Sequence, residues 1–392
     1  MKIKFLELLK DAHYNQTSTP CLIDAAQLYK LAKEHQVSSM IYNQIYKFDF
    51  DPALKQHWKR EAIYSVSIQT MKTEAFLNVY KKLREKNLNV LVVKGLILRS
   101  IYSIPDNRPS NDEDLYVELK DYEAAKQVFL DNGYICVKES EMETTFAHSN
   151  GVSIELHTSL FSKDNKAYGN YQEYFKDAFK DVLTFDIRGV KVLSLNHDNH
   201  YLFLILHFIK HFFHGGIGIR QIMDMIIYAE HFGDQIDWNR IYKILDKNNV
   251  LHLYENVLAI AQEYLGFDTT KVLLPSGYNK DNCDYQALLD DIIDAGVFGQ
   301  STIERKHTAT MTLNAISSDG KSNVFKSLFP TLTEMKGKFE YLNKYPFLLP
   351  IAWFTRIFNY IFDKKQGDSK KTIELGNERI ELLKKYKIIK KD

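Results

Sequence analysis

Three consecutive acids at the start of an apolar segment are the residues of this chain best suited to chemistry. The stretch "RPSNDEDLYVEL" places Asp112, Glu113 and Asp114 directly before an alternation of apolar and polar residues that is typical of a strand. Asp is among the poorest strand formers, so strand propensity does not explain these acids. Residues that go against strand propensity at the edge of an otherwise regular strand pattern are often part of a functional site. Because side chains two positions apart on a strand point the same way, we expect Asp112 and Asp114 to share a face.

A third acid is predicted to reach the same face from a second strand. The segments "ETTFAHS" and "GVSIELHTSL" both alternate, and the Asn150-Gly151 pair between them is a strong signal for a hairpin turn. The alternation of the second segment puts Glu155 on its open face and the apolar side chains inward. We expect this strand to lie beside the one bearing Asp112 and Asp114 in a mixed sheet, so that three carboxylates enter one cleft.

Three carboxylates in one cleft indicate a divalent metal site. Crowded carboxylates repel one another and raise one another's pKa unless a cation compensates. Mg²⁺ takes oxygen ligands and usually completes its shell with substrate phosphates, so it is the expected ion, with Mn²⁺ as the alternative. Two such ions would activate an attacking oxygen and stabilise a leaving pyrophosphate. The alternative interpretation of Asp112 and Asp114 is loop solvation or capping of the next element, and the matching parity of Glu155 favours the metal site.

The segment "VVKGLILRSIYSIPDNRPSNDEDLYVEL" resembles the active-site region of the nucleotidyltransferase superfamily that includes DNA polymerase β and the aminoglycoside nucleotidyltransferases. It is most similar to the uncharacterised bacterial nucleotidyltransferase family. The residues that carry the resemblance are Lys94-Gly95, Arg108, Asp112, Asp114 and Glu155-Leu156-His157. The later stretch "LHFIKHFFHGGIGIRQIMDM" resembles the region that follows the family's catalytic module, through Lys210, His211, Arg220 and Asp224. Together the resemblance spans about residues 85–235.

The resemblance implies transfer of an NMP group from a nucleoside triphosphate to an unknown acceptor, with release of pyrophosphate. Asp112 and Asp114 would hold the metal, and Glu155 would be a third ligand or the base for the acceptor hydroxyl. Such a displacement depends on placement and charge neutralisation more than on covalent chemistry. The implied substrate-binding residues are Lys94, Gly95, Arg108, His157 and Arg220.

Two departures from the superfamily pattern keep an alternative open. Gly-Ser or Gly-Gly usually stands where this chain has Lys94-Gly95, so the lysine would act as a point charge on the triphosphate or would pair with a neighbouring carboxylate. Glu113 stands where an apolar residue is commoner. A catalytically degenerate nucleotide- or partner-binding protein on the same fold is the alternative function. A purely structural helical adaptor is a third possible function. It does not explain why the alternation puts Asp112, Asp114 and Glu155 on the open faces of their strands.

Other polar residues allow more than one interpretation. His207, His211 and His214 recur on one face of a predicted helix. They could chelate a transition metal, be satisfied core histidines, or form a basic face turned to a phosphate. Arg220 and Asp224 are four residues apart, so an intrahelical ion pair is the alternative to a substrate contact by Arg220.

The predicted fold is α+β, with a small mixed-sheet module flanked by N- and C-terminal helical regions. The expected regions are 1–87 (helical), 88–195 (α/β module) and 196–392 (helical). Asp51-Pro52 indicates a helix start. Within the module, "LNVLVV" is a predicted strand, "KDYEAAKQVFLDNGY" a helix closed by glycine, residues 168–181 a helix, and "FDIRGVKVLSL" a strand or small hairpin. The stretch "DKKQGDSKK" is a predicted charged loop.

Charge and cysteine content narrow the class of protein. The chain has 51 basic and 50 acidic side chains and a net charge of +1, so there is no strong signal for nucleic-acid or membrane binding. Its three cysteines are scattered without a CxxC pair, which favours a reducing compartment and predicts a cytoplasmic protein. The most apolar stretch, "YPFLLPIAWFTRIFNYIF", contains two prolines and an arginine and predicts a buried or partner-facing helix rather than a membrane span.

Overall fold

Four helices open the chain, as predicted for residues 1–87. The computed structural model describes residues 1–162, 166–168, 170–297, 303–317, 329–336, 339–362 and 369–390. The first helices are α1 (Lys2–His13), α2 (Ala25–Glu34), α3 (Ser38–Ile45) and α4 (Pro52–Glu85). The predicted start of α4 is confirmed: the Asp51 carboxylate accepts a hydrogen bond of 2.7 Å from the Leu54 N–H, and Pro52 is the first helical residue.

A five-stranded mixed sheet follows, and it confirms the predicted α+β class. Its strands are β1 (Val90–Val93), β2 (Glu113–Val117), β3 (Ile135–Glu139), β4 (Glu143–Ala147) and β5 (Ser153–His157). Their spatial order is β1-β2-β5-β4-β3. Strands β2 and β5 are parallel and the other neighbouring pairs are antiparallel. The expectation that the two acid-bearing strands are neighbours is therefore confirmed.

The local signals around this sheet are mostly confirmed. Helix α5 (Gly95–Ile101) follows β1, and α6 (Leu119–Asp131) follows β2. Gly133 just beyond α6 has φ of 81°, the left-handed conformation in which a helix commonly ends. The Asn150-Gly151 turn joins β4 to β5: Gly151 has φ of 83°, and the Asn150 side chain accepts a hydrogen bond of 3.1 Å from the Val152 N–H. Strand β3, in contrast, was not predicted, because all five of its residues are exposed and carry no burial alternation.

Strand β2 is buried on both faces, whereas the sequence predicted one open face and one packed face. All five residues from Glu113 to Val117 are buried. Glu113 lies on the face shared with Leu115 and Val117, where an apolar side chain would be expected. Leu119 begins α6 and is 78% exposed, so the strand ends before it.

The helix predicted at residues 168–181 is wrong. The described residues there form two single-turn 3-10 segments, Lys166–Tyr168 and Tyr171–Phe175. The predicted hairpin beyond them is confirmed as β6 (Val182–Ile187) paired with β7 (Val190–Leu195). Strand β7 packs against β1, so the hairpin braces the edge of the large sheet that leads to Lys94.

The remainder of the chain is helical, as predicted, over the residues that are described. The helices are α7 (His197–His214), α8 (Ile219–Phe232), α9 (Trp238–Lys247), α10 (Leu251–Tyr264), α11 (Gln286–Ala295), α12 (Ile303–Ser317), α13 (Leu332–Lys336), α14 (Tyr341–Lys344), α15 (Leu349–Phe362) and α16 (Ser369–Lys385). Residues 363–368 of the predicted charged loop lie outside the described residues, and its last three residues begin α16. Among the described helices, each is too short or too polar to cross a bilayer.

One large cluster of buried apolar residues contains side chains from the first helices, the sheet and α7–α11. A separate small cluster is formed by Met335, Leu342 and Ala352. The sheet and α7 are both part of the large cluster, so the residues on them are held by a common core. The division of the chain at residues 87 and 195 stays a prediction.

Candidate functional site

The register of three adjacent strands brings the sequence-predicted residues together. Asp114 on β2 is paired with Glu155 on β5, and Tyr116 is paired with His157. On the other side of β2, Val93 at the end of β1 lies opposite Asp114. Lys94 follows Val93 directly. Lys94, Asp114 and Glu155 therefore lie at the same end of the sheet, although 60 residues of chain separate Lys94 from Glu155.

Asp114, Glu155 and His157 form the compact group at this edge. One potential ligand atom from each lies within 4.8 Å of the others. The Nε2 atom of His157 is 3.5 Å from Asp114 Oδ1 and 3.5 Å from Glu155 Oε2. The side chains of Asp114 and His157 are largely buried, and that of Glu155 is 28% exposed. Asp112, which precedes β2, lies outside this group but is close enough for its charge to act on Lys94.

The two aspartates differ strongly in their affinity for protons. Burial, together with the negative charge of Asp114, raises the pKa of Asp112 to about 6. Burial also acts to raise the pKa of Asp114, but the Lys94 ammonium and His157 outweigh it and hold that pKa far below its usual range. For His157, burial acts to lower the pKa, and the carboxylates of Asp114 and Glu155 outweigh it and raise the pKa to about 9. Asp114 is thus ionised and His157 protonated at neutral pH.

Lys94 occupies an unusual backbone conformation beside these acids. Its φ is 67° and its ψ is −115°, a combination that side-chain-bearing residues rarely adopt. Its ammonium lies 2.6 Å from Asp114 Oδ2. Of the two roles predicted for Lys94, the structure thus contains the ion pair with a neighbouring carboxylate. Burial acts to lower the pKa of Lys94, and Asp114 followed by Asp112 outweighs it and raises the pKa. The lysine is therefore charged. It neutralises part of the negative charge of Asp112, Asp114 and Glu155, the acid cluster of this site.

A buried hydrogen-bond chain holds the Lys94 turn. The Lys94 N–H donates to His200 Nε2 at 3.3 Å, and His200 Nδ1 lies 3.2 Å from the Ser194 hydroxyl oxygen. Ser194 in turn donates to the Val92 carbonyl at 2.7 Å. Since Ser194 uses its hydrogen on Val92, His200 must carry its proton on Nδ1 and accept at Nε2. Sequence reasoning missed this chain because His200 is 106 residues from Lys94.

The contacts of Glu113 explain why an acid stands where the superfamily usually has an apolar residue. Its Oε2 atom accepts a hydrogen bond of 2.9 Å from the Leu96 N–H in the first turn of α5. Its other carboxylate oxygen pairs with the guanidinium of Arg99, which is 1% exposed. A Cβ atom on Gly95 would lie only 2.2 Å from Glu113 Oε2. Gly95 therefore leaves room for the carboxylate that caps α5 and fixes the turn beside Lys94.

Arg108 is buried against a carboxylate of its own. Its Nε and Nη2 atoms donate to the two oxygens of Asp224 at 2.6 and 2.8 Å, in a bidentate pair. Tyr102 donates to the same carboxylate at 2.7 Å. Arg108 also lies 3.4 Å from the Gly95 carbonyl oxygen through Nη1. The guanidinium thus contacts the backbone of the Gly95 turn. A contact of Arg108 with substrate stays a prediction.

Arg220 is also buried and is not hydrogen-bonded to Asp224. Its Nη1 atom donates to Gln36 Oε1 at 2.6 Å and to the Pro109 carbonyl at 2.9 Å. Burial and the neighbouring Arg108 lower the pKa of Arg220 to about 10, and the negative charges of Asp224 and Asp112 partly oppose this shift. Arg220 therefore holds the segment that leads into β2, through the Pro109 carbonyl. Its role as a substrate contact stays a prediction.

One face of α7 runs past the acid cluster. His207 lies near Asp114, and burial, followed by the charges of Lys94 and His211, lowers its pKa well below the usual value, so this ring is neutral. Its Nε2 atom is 3.1 Å from His211 Nε2, so the two rings form a hydrogen-bonded pair. Burial, followed by the charges of Lys210 and Lys94, lowers the pKa of His211 to about 3, which keeps this ring neutral. His214 is apart from the pair, with its ring 5.5 Å from that of Tyr168.

Glu143 is a member of the site that sequence reasoning missed. It is paired with His157 across β4 and β5, and its Oε2 atom lies 3.8 Å from His157 Nδ1. The signal was available, because counting outward from the Asn150-Gly151 turn pairs Glu143 with His157 and puts both side chains on one face.

The donor set suits a divalent cation. Carboxylate oxygens from Asp114 and Glu155, with Asp112 beside them, are ligands that Mg²⁺ prefers, and the imidazole of His157 suits Mn²⁺ as well. His157 is protonated in this arrangement, so it must release its proton before its nitrogen can bind a metal.

Comparison with known proteins identifies the family of the chain. The family described as uncharacterised nucleotidyltransferase matches residues 22–266, more than half of the chain. A solved structure of an antigenic nucleotidyltransferase-like protein from Paracoccidioides brasiliensis is 15% identical in sequence, with 53% of this chain and 95% of that chain covered and a TM-score of 0.33. A likeness at that level carries no argument about the site. Among curated proteins, no relative matches the chain. On the family match, the chain belongs to the uncharacterised nucleotidyltransferase family.

Proposed function

We propose that this protein is a metal-dependent nucleotidyltransferase that moves an NMP group from a nucleoside triphosphate to an acceptor. The observation that carries the proposal is the strand register that sets Asp114 beside Glu155, within reach of His157 and Lys94, in a chain of this family. Asp112, Asp114 and Glu155 are the proposed metal ligands. The acceptor is any molecule with a nucleophilic hydroxyl that fits the cleft.

The proposed reaction is an in-line displacement at the α-phosphorus. An oxygen of the acceptor forms a bond to that phosphorus, and the bond from the phosphorus to the bridging oxygen breaks. The electron pair of the broken bond leaves with pyrophosphate, and the acceptor's proton passes to Glu155 or to water. A bound divalent cation supplies neutralisation of the phosphate charge and lowers the pKa of the acceptor hydroxyl. The chain's own residues orient the phosphates and exclude water.

Lys94 is the proposed exchangeable cation of the site. With no metal bound, its ammonium neutralises Asp114 at 2.6 Å. A divalent cation at Asp114 would compete for the same carboxylate, because two cations repel one another over so short a distance. The displaced ammonium would then be available to the triphosphate, as the sequence predicts for Lys94.

The same ion pair favours a second candidate function. If Lys94 permanently takes the place of a metal at Asp114, the chain is a catalytically degenerate nucleotide- or partner-binding protein. The two candidates differ in one product: only the transferase attaches an NMP group to an acceptor.

The test is a screen of the four NTPs with Mg²⁺, followed by mass spectrometry of the protein and of an added small-molecule extract. The proposal expects a mass increase of one NMP in some acceptor with wild type. Glu155→Gln should abolish it without unfolding the protein, since the Glu155 side chain is 28% exposed. Asp246→Asn removes one carboxylate from the exposed face of α9 and is the matched control. Triphosphate binding without any NMP adduct would support the degenerate binding protein.

A further inference from the structure

Lys210 on α7 is a cation beside the acid cluster. It is half-buried, and among the described residues it makes no hydrogen bond or ion pair at contact distance. Burial and the charge of Lys94 lower the pKa of Lys210, and the nearby carboxylates of Asp114, Glu143 and Glu155 oppose that shift. Burying a charged ammonium without a bonded partner is unfavourable, so the position calls for an anion.

The helical phase of α7 puts Lys210 at the edge of the face that passes the Lys94 turn. His200 near the start of the helix contacts the Lys94 backbone N–H, which fixes the direction of that helical face. At 3.6 residues per turn, His207 and His211 lie on the same face about two and three turns further along. Lys210 stands next to His211, at the edge of this face. The face therefore extends from the Lys94 turn past the carboxylates.

The ion pairs of the site leave Lys210 without an assigned counter-charge. Asp114 is neutralised by Lys94 and lies beside His157, and Glu143 has an ion pair of 3.1 Å with Lys138. On α7, Lys210 is the charged group near the carboxylates, and the neighbouring His207 and His211 rings are hydrogen-bonded to each other. A ligand that joins the two sides must offer a metal to the carboxylates and negative oxygens to α7. A metal-bound polyphosphate has both.

We propose that Lys210 binds the β- and γ-phosphates of the triphosphate and therefore the pyrophosphate that leaves. This inference rests on the proposed function, and it assigns the phosphate end of the substrate to α7. The nucleoside would then lie away from α7, and the α-phosphorus beside Asp114 and Glu155. An ammonium at the leaving group stabilises the charge that develops there as the bridging bond breaks.

Calorimetry with inorganic pyrophosphate, the four NTPs and the four NMPs, each with Mg²⁺, tests the inference. A hydrogen bond to a charged group is worth about 1.5–3 kcal/mol, so Lys210→Gln should weaken NTP and pyrophosphate binding about ten- to a hundredfold. NMP affinity should change less than about twofold, because the α-phosphate is not its partner. Lys210→Arg should retain most of the affinity. Lys243→Gln, which removes an exposed lysine from α9, is the control for net charge and should have no effect.

The outcomes separate the inference from the proposed function. If wild type binds NTPs and Lys210→Gln binds NTPs and pyrophosphate equally well, the inference is wrong and the proposed function stands. An equal loss of NMP affinity would also overturn it, because the lysine would then serve the whole nucleotide. If wild type binds no NTP and no pyrophosphate, both fall. Lys210→Met, which keeps the aliphatic stem, replaces the glutamine variant if that variant does not fold.

Discussion

Substitution of Gly95 by alanine is the change whose outcome the structure predicts against the ordinary rule. Gly95 is the first residue of α5, and in the interior of a helix alanine is favoured over glycine by about 1 kcal/mol, which is the upper limit for the gain here. The added Cβ, however, would lie 2.2 Å from Glu113 Oε2. That distance is about 1 Å inside an ordinary carbon–oxygen contact, so the carboxylate must move.

The magnitude follows from what Glu113 would lose. Moving Oε2 by about 1 Å breaks its 2.9 Å hydrogen bond from the Leu96 N–H, which is worth about 1.5–3 kcal/mol for a charged acceptor. If the carboxylate also leaves the buried Arg99, the unpaired guanidinium adds a loss of about 3 kcal/mol. After subtraction of the helix-propensity gain, Gly95→Ala should lower the free energy of unfolding by about 0.5 kcal/mol if only the Leu96 hydrogen bond is lost and by up to about 5 kcal/mol if the Arg99 pair is lost as well.

Urea unfolding of wild type, Gly95→Ala, Glu113→Asp and the double variant measures this effect. The shorter side chain of Glu113→Asp withdraws its oxygens from the new Cβ, so Gly95→Ala should be less costly in that background, and the difference is the coupling energy. A neutral or stabilising Gly95→Ala would refute the placement of Glu113 at the start of α5.

The remaining predictions concern the acid cluster and one distant histidine. Asp114→Asn should lower the free energy of unfolding by about 3 kcal/mol, because the buried Lys94 and His157 lose their carboxylate, and urea unfolding without metal checks this. Lys94→Ala should weaken NTP binding about tenfold or more yet tighten Mg²⁺ binding in the absence of nucleotide, and calorimetry that showed the two affinities moving together would contradict the exchange of cations. Burial lowers the pKa of His35 to about 4, so the unfolded chain takes up the proton first and stability should fall as the pH drops from about 6.5 to 4. At pH 5 this amounts to about 2 kcal/mol, and unfolding curves of His35→Gln should lack that part of the loss.

The architecture of the site was predictable because it depends on short-range patterns. Alternation predicted that Asp114 lies on the face of β2 that meets Glu155, and the Asn150-Gly151 turn fixed the register that carries Glu155 and His157. The expectation that β2 and β5 are neighbours came from their shared alternation and the Asn150-Gly151 turn. Asp112 is the exception in detail, since it stands before the strand and outside the compact group.

The parts that were missed depend on contacts between distant residues. Nothing near Lys94 in the sequence indicates that His200 holds its backbone, and the role of Glu113 is visible only once Arg99 and the α5 turn lie beside it. The helix predicted at 168–181 failed for a related reason. Tyr171 and Phe175 are buried at helical spacing, but they pack against Phe161 in tight 3-10 segments, so tertiary packing prevailed over propensity.

Pyrophosphate release from an NTP, measured in Mg²⁺ and in EDTA, tests the central claim most directly. In the presence of a small-molecule extract as acceptor, at least one NTP should yield pyrophosphate with Mg²⁺ and none with EDTA. Asp112→Asn and Glu155→Gln should abolish the release, and Asp246→Asn on α9 should retain it. Release that persists in EDTA or in both site variants would contradict a metal-dependent transfer at Asp112, Asp114 and Glu155.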